Sequence, residues 1–275
     1  MTLTRNALVA EIQRKQSYLC VGLDTVVDKL PVGYSRNAEG VLAFNKRIIE
    51  ATHNYAVAYK PNLAFYEELG SDGWDVLKQT IAAIPDECLV IADAKRGDIG
   101  NTAEAYARAI FEDLNADAVT VAPYMGEDSV KPFLAYTNKF TIVLALTSNG
   151  GARDFQYHGT PPLYERVIAK CREWGSAEHL MFVVGATRSD DLARVRALAP
   201  DNFFLVPAVG AQGGDLGEVS RSGFISPEHG GGCGLLVNSS RGILYASTGD
   251  DHAARSAAAA KELADEMAAH LNALR

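Results

Sequence analysis

Cysteine is scarce and scattered. The chain of 275 residues holds four cysteines, and Cys20, Cys88, Cys171 and Cys233 form no C-x-x-C pair, so neither a zinc site nor a disulfide framework can be built on their spacing. Three of them lie in or beside apolar runs, the setting of buried free thiols, which suits a reducing cytoplasm. Long hydrophobic runs are missing too. FTIVLAL at 140–146 and FFLVPAVGA at 203–211 fall far short of the roughly 20 residues that a membrane helix needs. The N-terminal MTLTRNALVAEIQRKQSYLC carries Arg5, Glu11, Arg14 and Lys15 where a signal peptide requires an unbroken apolar stretch. These absences predict a cytoplasmic protein that does not enter a membrane.

Excess positive charge is also absent. The 26 Lys+Arg against 34 Asp+Glu leave −8 at neutral pH, and a field of that sign repels phosphate polymers, which excludes nucleic acid as a general partner. A small anionic ligand stays open where cations gather locally. The histidines (His53, His158, His179, His229, His252 and His270) show no H-E-x-x-H spacing and none ends an apolar run, so they read as surface or loop residues. The missing G-x-S-x-G elbow and Ser-His-Asp order argue against a serine hydrolase. What is present is ample core material: 48% hydrophobic and 22% charged residues, without the bias of a disordered chain.

Eight short apolar runs punctuate the sequence: YLCVGLD (18–24), AVAYKPN (56–62), CLVIADAK (88–95), AVTVAPYM (118–125), FTIVLALTS (140–148), LMFVVGAT (180–187), FFLVPAVG (203–210) and GLLVNSS (234–240). They are nearly continuous in apolar residues, the pattern of parallel strands covered on both faces. Helix-length segments separate and follow them at 38–53, 72–83, 101–115, 126–137, 161–174, 189–198, 214–221 and 252–274. Strict alternation without a Pro/Ser-rich linker predicts an α/β fold, a single (β/α)8 TIM barrel over residues 1–275, with a helix at about 3–16 capping the barrel bottom. An open doubly wound sheet would show a G-x-G-x-x-G turn after its first strand, where this chain reads GLDTVVDKLP. The longest irregular stretch is 213–234, a length more often functional than merely connecting.

Barrel chemistry collects where strands end, at the C-terminal mouth. Run one ends at Asp24, run two at Lys60, and run three at Asp93 and Lys95, which a period of two places on one face. Asp98 follows in DAKRGDIGNT. The plain alternative is an ion-pair network closing the barrel, yet charged groups ending three adjacent strands are costly to gather in a partly desolvated cavity, which favours function. Such a lysine stays an ammonium, a proton donor rather than a free amine nucleophile. At the other end of the chain, VPAVGAQGGD (206–215) and NSSRGILYAS (238–247) end runs seven and eight. Each alone is an ordinary turn; together they suit a phosphate, with backbone N–H groups, Gln212 as a neutral donor and Arg241 as a bidentate one. Thr147, Ser148 and Asn149 end run five and suit the polar edge of a heterocycle.

These residues resemble a known family. D-A-K-R-G-D-I-G-N-T at 93–102 is similar to the D-x-K-x-x-D-I-x-x-T signature of orotidine 5′-phosphate decarboxylases, and VGLD at 21–24, YKPNLAFYE at 59–67, LTSNGGA at 146–152, VGAQGGD at 209–215 and SSRG at 239–242 fall in the order of that family's substrate-contacting segments. The length and the 213–234 segment resemble its longer-chain bacterial branch. The resemblance implies a lyase without cofactor or metal that converts orotidine 5′-monophosphate to uridine 5′-monophosphate (UMP) and CO2, the last step of de novo UMP synthesis. By it Lys95 is the general acid that protonates C6, Asp93 lies near the leaving carboxylate, and Lys60 holds Asp93 ionised. It assigns Asp24 to a ribose hydroxyl, Ser148 to the pyrimidine and Gln212 with Arg241 to the phosphate. It also implies a homodimer in which Asp98 and Thr102 serve the neighbouring subunit's site.

Two other readings fit parts of the pattern. A magnesium-dependent barrel acting on a sugar phosphate shares D-x-K-x-x-D but would lose activity in EDTA. A non-catalytic nucleotide-binding barrel would saturate with orotidylate without turnover. A Schiff-base aldolase needs a neutral lysine, which Lys95 between Asp93 and Asp98 is not.

Overall fold

The computed structural model of the chain describes residues 4–185, 189–207, 215–229 and 232–273. The eight apolar runs are parallel strands: β1 (Leu19–Gly22), β2 (Ala56–Lys60), β3 (Leu89–Arg96), β4 (Ala118–Val121), β5 (Phe140–Leu146), β6 (Leu180–Val184), β7 (Phe204–Pro207) and β8 (Leu235–Ser239). They pair in sequential order and close into a barrel, with Leu19 of β1 opposite Val237 of β8. Every residue of β1, β2, β6 and β8 is buried, because the barrel interior covers one face and the helices cover the other.

Each strand is followed by a helix: Ala38–Thr52, Gly73–Ile81, Gly100–Arg108, Glu127–Leu134, Leu163–Trp174, Ser189–Leu198, Leu216–Gly223 and His252–Asn272. Polar residues set helix starts. Asn37 accepts the Gly40 N–H at 3.0 Å and Asp215 that of Glu218 at 2.9 Å, occupying donors that the first turn leaves without intrahelical partners. The leading helix Arg5–Lys15 lies across the barrel bottom. Arg5 donates to the Ala177 carbonyl at 2.9 Å, just before β6, and Lys15 to those of His53 and Ala56 at 2.8 Å, where β2 begins.

Two expectations change. The 213–234 stretch is less irregular than its composition implied: its described part holds the helix Leu216–Gly223 and a turn at Pro227–His229, while 213, 214, 230 and 231 lie outside the described residues. His252 is not a surface residue. It is buried at the start of the last helix, its Nε2 3.0 Å from the Tyr34 hydroxyl, in a pocket made by residues more than two hundred positions away. All four cysteines are free and buried.

One buried cation organises the lower half of β7 and β8. The Arg196 guanidinium lies 3.7 Å over the Phe204 ring and donates to the carbonyls of Gly223, Ala199, Pro200, Asn202 and Gly234. Arg196→Met is expected to leave these acceptors without a donor and lower stability by about 3 kcal/mol, measured by urea denaturation.

Candidate active site

The charged residues that end β1, β2 and β3 converge on one carboxylate. Asp93 Oδ2 accepts from Lys60 Nζ at 2.7 Å, and Oδ1 accepts from Lys95 Nζ at 2.6 Å and from the Thr120 hydroxyl at 2.9 Å. Asp24 stands at the edge of this network, its Oδ1 3.8 Å from Lys60 Nζ. Burial opposes the charge of Asp93, but the Lys60 and Lys95 ammoniums outweigh it and hold the carboxyl well below the usual carboxylate range. Burial opposes the Lys60 charge as well, and Asp93 with Asp24 overrides it, raising Lys60 above the ordinary lysine value. Lys60 is 5% exposed, whereas the Lys95 side chain is 50% exposed. Lys95 is therefore the ammonium that a ligand can reach.

Lys95 and Asp93 meet for a different reason than strand alternation. The β3–β4 ladder pairs Ala92 with Val119 and then Arg96 with Val121, so residues 93–95 bulge out opposite Thr120. Lys95 turns back at φ 46°, in the left-handed region that a side chain with a Cβ disfavours.

Above the network opens a cavity of about 500 Å3, lined by Asp24, Lys60, Asp93, Ser148, Arg241 and Tyr245 among others. A smaller one of about 260 Å3 adjoins it, bounded by Lys95, Thr120, Leu144, Val183 and Leu205. Asp24 Oδ1 is buried without a hydrogen-bond donor, a group awaiting a hydroxyl or amide of a ligand. Gly22 permits the close approach of β1 to the turn after β8: a Cβ there would lie 1.9 Å from Ser240 Oγ. Arg241 opens the helical turn Arg241–Leu244 directly after β8. The β5 loop is shaped by Gln156, whose Oε1 accepts the Thr147 N–H at 2.8 Å and whose amide donates to the Thr147 hydroxyl at 2.7 Å. That leaves Ser148 facing both cavities.

The structure thus brings Asp24, Lys60, Asp93, Lys95, Ser148 and Arg241 to one mouth. Asp98 and Thr102 do not line these cavities; Asp98 accepts the Ile99 N–H at 2.8 Å, and Thr102 is exposed on the helix Gly100–Arg108. Gln212 lies outside the described residues. Sequence reasoning missed Thr120 and Tyr245. Thr120 interrupts the run AVTV, and Tyr245 stands four residues after Arg241, one helical turn on. The Tyr245 hydroxyl accepts the Val26 N–H at 2.8 Å, linking the β1 loop to the β8 turn. Among the described residues no group of three or more His, Cys, Asp or Glu side chains is arranged to hold a metal ion.

Known proteins are similar to this chain over nearly its whole length. The model of the family described as orotidine 5′-phosphate decarboxylase / HUMPS matches residues 17–257. The orotidine 5′-phosphate decarboxylase of Christiangramia forsetii is 53% identical over 99% of this chain and 100% of its own length. The solved structure of Leishmania donovani OMP decarboxylase superimposes with a TM-score of 0.84 at 41% identity, covering 99% of each chain. That of Leishmania donovani UMP synthase gives 0.85 at 43% identity, covering 97% of this chain and 56% of the longer protein. With a closed barrel, the charged network at its mouth and matches along nearly the whole length, the chain belongs to the orotidine 5′-phosphate decarboxylase / HUMPS family.

Proposed function

We propose that this chain decarboxylates orotidine 5′-monophosphate to UMP in pyrimidine nucleotide synthesis, with Lys95 as the general acid. The observation that carries the reading is the Lys60–Asp93–Lys95 chain, with contacts of 2.7 and 2.6 Å, one end buried and the other open to ligand. Breaking the bond between C6 and the carboxylate leaves its electron pair on C6, a carbanion with no electron sink in the ring. The Lys95 ammonium stabilises that charge and then delivers its proton to C6. Asp93, kept ionised by Lys60, sets a like charge against the substrate carboxylate. The apolar walls Leu144, Val183 and Leu205 of the smaller cavity favour neutral CO2 over an anion, since an unpaired charge is costly to desolvate.

Asp24, whose Oδ1 has no hydrogen-bond donor, receives a ribose hydroxyl, Ser148 meets the pyrimidine edge, and Arg241 with Gln212 binds the phosphate. The active unit is a homodimer in which Asp98 and Thr102 complete the neighbouring site. Exposed Ile99 after β3 and Tyr124 and Met125 after the neighbouring β4, at 53, 86 and 48%, support that association, because exposed large apolar side chains favour burial against a partner. The defining assay follows orotidylate absorbance in excess EDTA. Full turnover is expected; saturation without turnover would leave only a nucleotide binder, and loss in EDTA would favour the metal-dependent reading.

A further inference from the structure

On its β4 side the bulge that carries Asp93 and Lys95 has a single residue facing it. Between the ladder pairs Ala92–Val119 and Arg96–Val121, three residues of β3 stand opposite Thr120 alone. The Lys95 N–H cannot reach a strand carbonyl from this position, and it donates instead to the Thr120 hydroxyl at 2.9 Å. The same hydroxyl donates to Asp93 Oδ1 at 2.9 Å. A hydroxyl has one proton and two lone pairs, so both bonds hold at once. Thr120 is 1% exposed, at the wall of the smaller cavity.

We infer that Thr120 is a positioning residue for the decarboxylation step. Its hydroxyl holds the Lys95 backbone in the left-handed conformation at φ 46° and turns the Asp93 carboxylate so that Oδ1 meets Lys95 Nζ at 2.6 Å. Neither task involves the phosphate or ribose ends of the cavity. Loss of the hydroxyl therefore weakens the chemical step and leaves ground-state binding nearly unchanged. The inference rests on the reading of Lys95 as proton donor, since a misplaced ammonium matters to rate only if it acts on C6.

The test compares Thr120→Val, which keeps shape and removes the hydroxyl, with Thr120→Ser, which keeps the hydroxyl. Steady-state decarboxylation gives kcat and KM, UMP titration gives affinity, and thermal unfolding reports the fold. Thr120→Val is expected to lower kcat by about 100-fold with KM and UMP affinity within about threefold, the scale of a displacement near 1 Å at a reacting group. Thr120→Ser is expected to return kcat to within about threefold of the parent. A kcat in Thr120→Val within about twofold of the parent, or a serine variant no faster than the valine one, overturns the inference. If the valine variant does not fold, Thr120→Ala is read against Thr120→Ser by the same criteria. The Lys95→Ala variant separates the two readings: if it retains activity, the proton-donor role itself fails, whereas activity retained only in Thr120→Val removes Thr120 from the mechanism.

Discussion

Lys95→Ala is expected to lose about 10,000-fold or more of the decarboxylation rate while folding normally and binding UMP within about tenfold of the parent. In the proposed mechanism the size follows from two losses at one atom: the positive charge that stabilises the C6 carbanion, and the proton that ends its life. The fold survives because the Lys95 side chain is half exposed and Asp93 keeps its 2.7 Å bond to Lys60. Absorbance decay of orotidylate, with UMP binding measured by titration calorimetry, checks both halves. A variant that still turns over at a tenth of the parent rate would remove Lys95 from the chemistry.

Mixing two inactive variants gives the second large effect. Lys95→Ala and Asp98→Ala homodimers are each expected to be nearly inactive, and randomly exchanged subunits should recover about a quarter of the parent activity. Half of the dimers are then mixed. In each of those, one site combines an intact Lys95 with an intact Asp98 of the neighbour, and the other site lacks both. The position of Asp98 motivates the experiment, since it lies past the end of β3 and away from the cavities that hold Asp93. A mixture as inactive as its parents would place Asp98 in its own subunit's chemistry.

The strands were legible because parallel strands buried on both faces need apolar side chains at nearly every position, and FTIVLAL or LMFVV has few other uses. Their polar ends were legible for the same reason: Asp24, Lys60 and Asp93 stand out where the apolar run stops. Short single turns such as Ala64–Glu67 and Ala152–Phe155 were not, because four residues are too few to show a period of 3.6. The burial of His252 is not legible in the sequence because its surroundings, Tyr34 and Phe44, are distant in the chain. Strand alternation predicts that Asp93 and Lys95 share a face, whereas a bulge and a left-handed turn bring them together.

The order of strands and helices and the identity of the charged residues at their ends belong to the sequence alone, since local side-chain volume and polarity set which segments must be covered. The register of β1 against β8, the exchange of Lys95's backbone partner for the Thr120 hydroxyl, and the Asp24 oxygen left without a hydrogen-bond donor belong to the tertiary structure. Each depends on which distant groups arrive within about 3 Å, and hydrogen-bond satisfaction at that range is decided only when the barrel closes.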